Sequence, residues 1–106
     1  MFFEFREYRT HPGKREAWVR FMEEVILPFQ ISKGMVVAGS FVGEEEDDLY
    51  VWIRRFDSEE ERERLYRAVY DSDTWKNEIA PKIPEMMIRD RMKVVRLQAT
   101  PKSVLR

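Results

Sequence analysis

Two short stretches of this chain set ionisable and aromatic side chains at alternate positions. Glu4, Arg6 and Tyr8 do so near the start, and Tyr50, Trp52 and Arg54 near the middle. Residues two apart in an extended strand share a face, so each triplet presents one surface of charge and π-electrons. With two such strands side by side, the guanidiniums of Arg6 and Arg54 would fix an anion and Trp52 would supply a stacking plane. The two phenols would add hydrogen bonds. That combination suits an aromatic acid or a phenolic compound. The same six residues admit a structural reading, in which Glu4 pairs with an arginine and the rings fill the core or a subunit interface. A buried charge needs a partner whether or not a ligand is present.

Other candidates carry less chemistry. His11 is the single histidine; an imidazole can serve as general base or haem ligand, but beside Pro12 at a strand end it reads as a turn residue. The acidic run Glu44–Asp48 lacks the alternating ligands and central glycine of a calcium loop and reads as a solvated hairpin. Tyr66, Tyr70 and Trp75 suit either the rim of a pocket or helical packing. No Gly-rich phosphate loop, Ser/His/Asp set or Cys/His metal spacing occurs, so no cofactor and no metal are expected.

The chain of 106 residues is sized for one domain. Its 19 basic and 20 acidic residues nearly cancel, which argues against general attraction to nucleic acid or an anionic membrane. Cysteine is absent, removing disulfides and thiolate chemistry. No apolar run approaches the ~20 residues of a membrane span, and the charge at Glu4 comes too early for a secretion signal. A soluble, cytoplasmic protein is expected.

The elements that must position the two triplets follow from periodicity. Phe2 to Arg9 alternates as a strand, and His11-Pro12-Gly13 breaks it. From Lys14, Trp18, Phe21, Met22, Val25 and Phe29 recur at helical spacing, with Pro28 predicting a kink or an ending. Met35 to Val42 reads as a strand with a bulge or close backbone approach at Gly39. A third strand from Leu49 ends at Ser58-x-x-Glu61, a capping box that starts a helix running from Glu59 to about Tyr70. Asp71–Thr74 interrupts it before a short segment carrying Trp75 and Ile79. Pro81 and Pro84 bound an irregular piece, and Ile88 to Leu97 reads as a last strand, its charges suited to a sheet edge. Residues 1–98 form the expected domain, and residues 99–106 a tail without structure of its own.

The order β-α-β-β-α-β predicts an α+β, ferredoxin-like fold: a four-stranded antiparallel sheet with both helices on one face and strands one and three adjacent in the middle. The other face is left uncovered, and a second copy is its simplest cover. Either alternation could face the helices. Glu4-x-Arg6-x-Tyr8 with Pro12-Gly13-Lys14, Val51-Trp52-x-x-Arg55-Phe56, Arg62 on the helix and Asp73-x-Trp75 together resemble NIPSNAP-type domains over residues 2 to 97. The resemblance implies the dimeric α/β-barrel superfamily, in which two ferredoxin-like units pair their sheets. Superfamily relatives imply that Glu4, Arg6, Tyr8, Tyr50, Trp52 and Arg54 face the helices. Tyr50 stands where family members often carry histidine, and the loop after strand two is unusually acidic. The expected function is binding of a small aromatic or amphipathic ligand in a homodimer. The alternatives are a cofactor-independent monooxygenase or isomerase and a protein-interaction scaffold.

Overall fold

The computed structural model describes residues 1–106. β1 (Phe2–Arg9) is followed by a long helical stretch made of α1 (Arg15–Phe21), a π-helical turn (Met22–Ile26) and α2 (Leu27–Ser32). Pro28 lies at the start of α2. Its missing N–H cannot serve the carbonyl one turn back, and the widened turn immediately before it absorbs the defect. The helix therefore continues through Pro28. Gly34, with φ +109°, lets the chain reverse, and a Cβ there would meet Leu65 Cδ2 at 3.0 Å.

β2 (Val36–Val42) and β3 (Leu49–Phe56) form a hairpin whose register slips between Val37 and Gly39. The bulge falls where the glycine predicts it. An added Cβ on Gly39 would lie 2.5 Å from the Phe41 ring, so the glycine gives that ring its place on the sheet. α3 (Glu59–Tyr70) begins at Ser58, whose hydroxyl accepts from the Glu61 N–H at 3.1 Å. Glu61 returns its bond to the Asp57 N–H at 3.0 Å, one residue earlier than the box predicts. A π turn (Trp75–Ile79) and a 3-10 segment (Ala80–Glu85) lead to the last strand.

That strand, β4 (Lys93–Leu97), is shorter than the Ile88–Leu97 expected. Its partner β1 explains why. Glu7 pairs with Lys93, and Thr10 forms an isolated bridge with Met87. The stretch from Met87 to Lys93 is thus longer than the piece of β1 it accompanies, and the surplus, Arg89–Arg91, leaves the ladder as a 3-10 turn.

The sheet order is β2-β3-β1-β4, antiparallel throughout, the ferredoxin-like arrangement, with β1 and β3 central and β4 on an edge. Glu4 lies opposite Arg54, Arg6 opposite Trp52 and Tyr8 opposite Tyr50. All helical segments pack on this one face, where two apolar clusters form: Trp18, Met22, Ile26, Tyr50 and Trp52 belong to one, and Phe2, Phe56, Leu65 and Val69 to the other. On the opposite face Phe41, Val95 and Leu97 are exposed, and the C-terminal residues turn back toward Phe3 and Ile53, with Ser103 Oγ donating to the Leu105 carbonyl at 2.7 Å. No helix is long and apolar enough to cross a membrane.

Candidate functional site

The alternation of β1 and β3 turns both triplets beneath the helices, and the structure divides them into two regions. In the first, Glu4 and Arg54 are almost wholly buried, at 1% and 0% exposure. Arg54 Nη2 donates to Glu4 Oε1 at 2.7 Å and to Tyr66 Oη at 2.8 Å. Its Nη1 donates to Gln30 Oε1 at 2.8 Å and Tyr70 Oη at 2.7 Å. The second carboxylate oxygen of Glu4 accepts from Arg62 Nε at 2.9 Å and Tyr66 Oη at 2.7 Å. Arg54 Nε lacks a partner, but the guanidinium lies 4.7 Å from the Trp52 ring centre, in cation–π range. Burial pushes the Glu4 carboxyl up; the Arg54 charge and the hydrogen bonds from Tyr66, Arg62 and Arg54 outweigh it and hold it down to about 2.

The second region is a cavity of about 230 Å³. Trp18, Met22 and Ile26 from the first helical stretch form one wall, Arg6, Tyr8 and Trp52 the sheet-side wall, and Tyr70, Trp75, Ile83 and Met87 another. Arg89 and Met92, from the detour before β4, stand with them. The walls contain no carboxylate. Tyr8 packs against Trp18 and Trp52 with ring centres 6.0 and 6.2 Å apart. Burial raises the Tyr8 phenol above its ordinary value, and likewise lifts Tyr50 and Tyr66 to about 12 each. Near neutral pH these phenols are hydrogen-bonding groups, not bases.

Arg6 joins the two regions. Its Nε donates to Tyr8 Oη at 2.8 Å, and its Nη1 makes longer contacts to Tyr66 Oη at 3.3 Å and Glu4 Oε1 at 3.4 Å. Its Nη2 meets only the Met92 thioether, at 3.5 Å.

Of the six residues singled out by alternation, Arg6, Tyr8 and Trp52 line the cavity, and Glu4, Tyr50 and Arg54 do not. Tyr50 bonds instead with Ser40 on the neighbouring strand. His11 lies outside as a turn residue, its Nε2 3.0 Å from the Pro84 carbonyl oxygen. The partner roles of two polar residues escape sequence reasoning. Gln30 is fully buried although polar; the signal for it is its position four residues after Ile26, in line with Trp18 and Met22 on the buried helix face. Arg62 sits in a run of six consecutive glutamates and arginines, Glu59–Arg64, and looks like part of a solvated surface. Only the fold reveals that it reaches Glu4.

Solved structures share this architecture. A NIPSNAP family protein of unknown function from Agrobacterium tumefaciens is 23% identical, with a TM-score of 0.89 over 100% of this chain and 94% of its own. Another NIPSNAP family protein from that organism is 19% identical, with a TM-score of 0.87, covering 99% and 98%. An uncharacterised NIPSNAP domain protein from Burkholderia xenovorans is 16% identical, with a TM-score of 0.84, covering 97% and 98%. At these identities the likeness is one of fold. No curated protein matches the sequence significantly. The NIPSNAP family model, however, matches residues 3–103, nearly the whole chain, and the chain belongs to the NIPSNAP family.

Proposed function

We propose that this NIPSNAP chain acts in the cytoplasm as a homodimeric α/β barrel that holds a small aromatic or amphipathic ligand in the cavity of each subunit. The cavity carries the reading: about 230 Å³, walled mainly by aromatic, methionine and isoleucine side chains. For scale, an apolar cavity of ~150 Å³ accepts benzene, and drug-sized pockets begin at about 300 Å³. One aromatic ring with a short polar arm fits between those limits. Dimer formation is supported by the uncovered sheet face, where Val36, Phe41, Val95 and Leu97 are 49%, 54%, 49% and 42% exposed. Apolar residues gathered on one face in this way suit an interface better than water.

Binding without turnover ranks ahead of cofactor-independent oxygenation or isomerisation. The cavity wall offers two arginines and two phenols but no imidazole or carboxylate, the side chains that most often act as general base. Native mass spectrometry of protein purified from its own host tests the proposal. Two chains plus a small adduct that leaves on denaturation is the expected result. A dimer without adduct would favour an interaction scaffold, and a monomer would overturn the barrel.

A further inference from the structure

Resting on the cavity-binding reading above, we infer that the ligand is an anion: one aromatic ring with a short carboxylate arm, its head held by Arg6 and Arg89 and its ring against the tryptophan wall. Charge placement leads there. Glu4 is the one carboxylate paired with Arg6 or Arg54, and its short contacts go to Arg54 at 2.7 Å and to Arg62 at 2.9 Å, which also holds Glu59 at 3.2 Å. Arg6 is left with a 3.4 Å contact to an oxygen that Arg54 already holds. It is nevertheless mostly buried, with a side-chain exposure of 11%. A buried cation so weakly neutralised is a standing demand for an anion.

The hydrogen bonds of Arg6 agree. Two of its nitrogens have oxygen acceptors, but Nη2 has only the Met92 sulfur, and a thioether is a weak acceptor. That nitrogen can take a carboxylate oxygen without breaking a good bond. Arg89 is the second cation of the wall and forms no ion pair. Its neighbour Asp90 instead lines a surface cleft with Glu7, Arg9, Arg91 and Lys93. A wall with two guanidiniums and no carboxylate selects a charged acceptor.

Phenylacetate and its neutral isostere phenylacetamide separate this inference from the reading beneath it. Titration calorimetry at pH 7 on the wild type, Arg6→Gln and Arg89→Gln is the experiment. The acid is expected to bind wild type about tenfold or more tighter than the amide, the scale of hydrogen bonds to a charged group. The preference should collapse in Arg6→Gln and narrow in Arg89→Gln. Equal binding of acid and amide, or a preference that survives Arg6→Gln, would overturn the anion and leave the cavity reading standing. Failure of both compounds to bind would overturn both. If Arg6→Gln does not fold, Arg89→Gln on its exposed turn decides: a narrowed preference supports the inference, and an unchanged one overturns it.

Discussion

The two regions beneath the sheet are built from the same residue types and differ in how completely they are satisfied. Around Glu4 and Arg54, nearly every donor meets an oxygen at close range, with Gln30 drawn in from α2 and Arg62, Tyr66 and Tyr70 from α3. Around Tyr8 and Trp52, the rings leave a space, and the cations beside it have poor partners or none. A saturated polar cluster fixes geometry and has nothing left to offer a ligand. The unsaturated one retains capacity. Hydrogen-bond completeness, rather than residue type, therefore separates Arg54 from Arg6.

The sharpest way to break the comparison is Arg54→Ala. Removing the fully buried partner leaves Glu4 charged and underbonded, and a stability loss of about 3–5 kcal/mol is expected in urea unfolding. A loss near zero would mean that the cluster is not structural. Acid probes the same cluster more gradually. The Glu4 carboxyl is held at about 2 against an ordinary 4.5, so its stabilisation is present above pH 4.5 and is lost as pH falls toward 2. The loss is roughly 3 kcal/mol. Glu4→Gln should flatten that part of the stability–pH curve, read from unfolding midpoints at several pH values.

Gln30→Ala removes one acceptor from Arg54 Nη1 while Tyr70 remains, for an expected loss of about 1–3 kcal/mol. Ser58→Ala removes the cap of the helix that carries Arg62 and should cost about 1 kcal/mol. Arg89→Gln, on an exposed turn without an ion pair, should move stability by less than about 0.5 kcal/mol. Thermal melts of these three variants give the ranking. If Arg89→Gln proved as destabilising as Arg54→Ala, the division between the regions would fail.

Much of this was legible before the fold was known. The period-2 patterns of β1 and β3 are local, and the helix start at Ser58 is written in four residues. The position of Gly39 anticipated the bulge. The pairing of Glu4 with Arg54 was one of two arginine options, and sequence could not choose between them because both stand on the right face. Arg62 was marked only by the family resemblance, without a partner, because a helix rich in Glu and Arg looks solvated all round, and its turn toward Glu4 is a tertiary fact. The last strand misled because Arg89, Arg91 and Lys93 continue an alternating pattern through residues that leave the ladder. That detour depends on the Thr10–Met87 bridge, a contact with no local signature, and it is what brings Arg89 and Met92 to the cavity.

The chain has three tryptophans, and all three line the cavity. Proton–nitrogen correlation spectra of labelled protein, titrated with phenylacetate and phenylacetamide, therefore test the central claim directly. The account predicts that the indole signals of Trp18, Trp52 and Trp75 move together, while the backbone signals of Val36, Phe41 and Val95 on the open sheet face stay still. Indole signals unmoved by both compounds, or shifts confined to the open face, would contradict it.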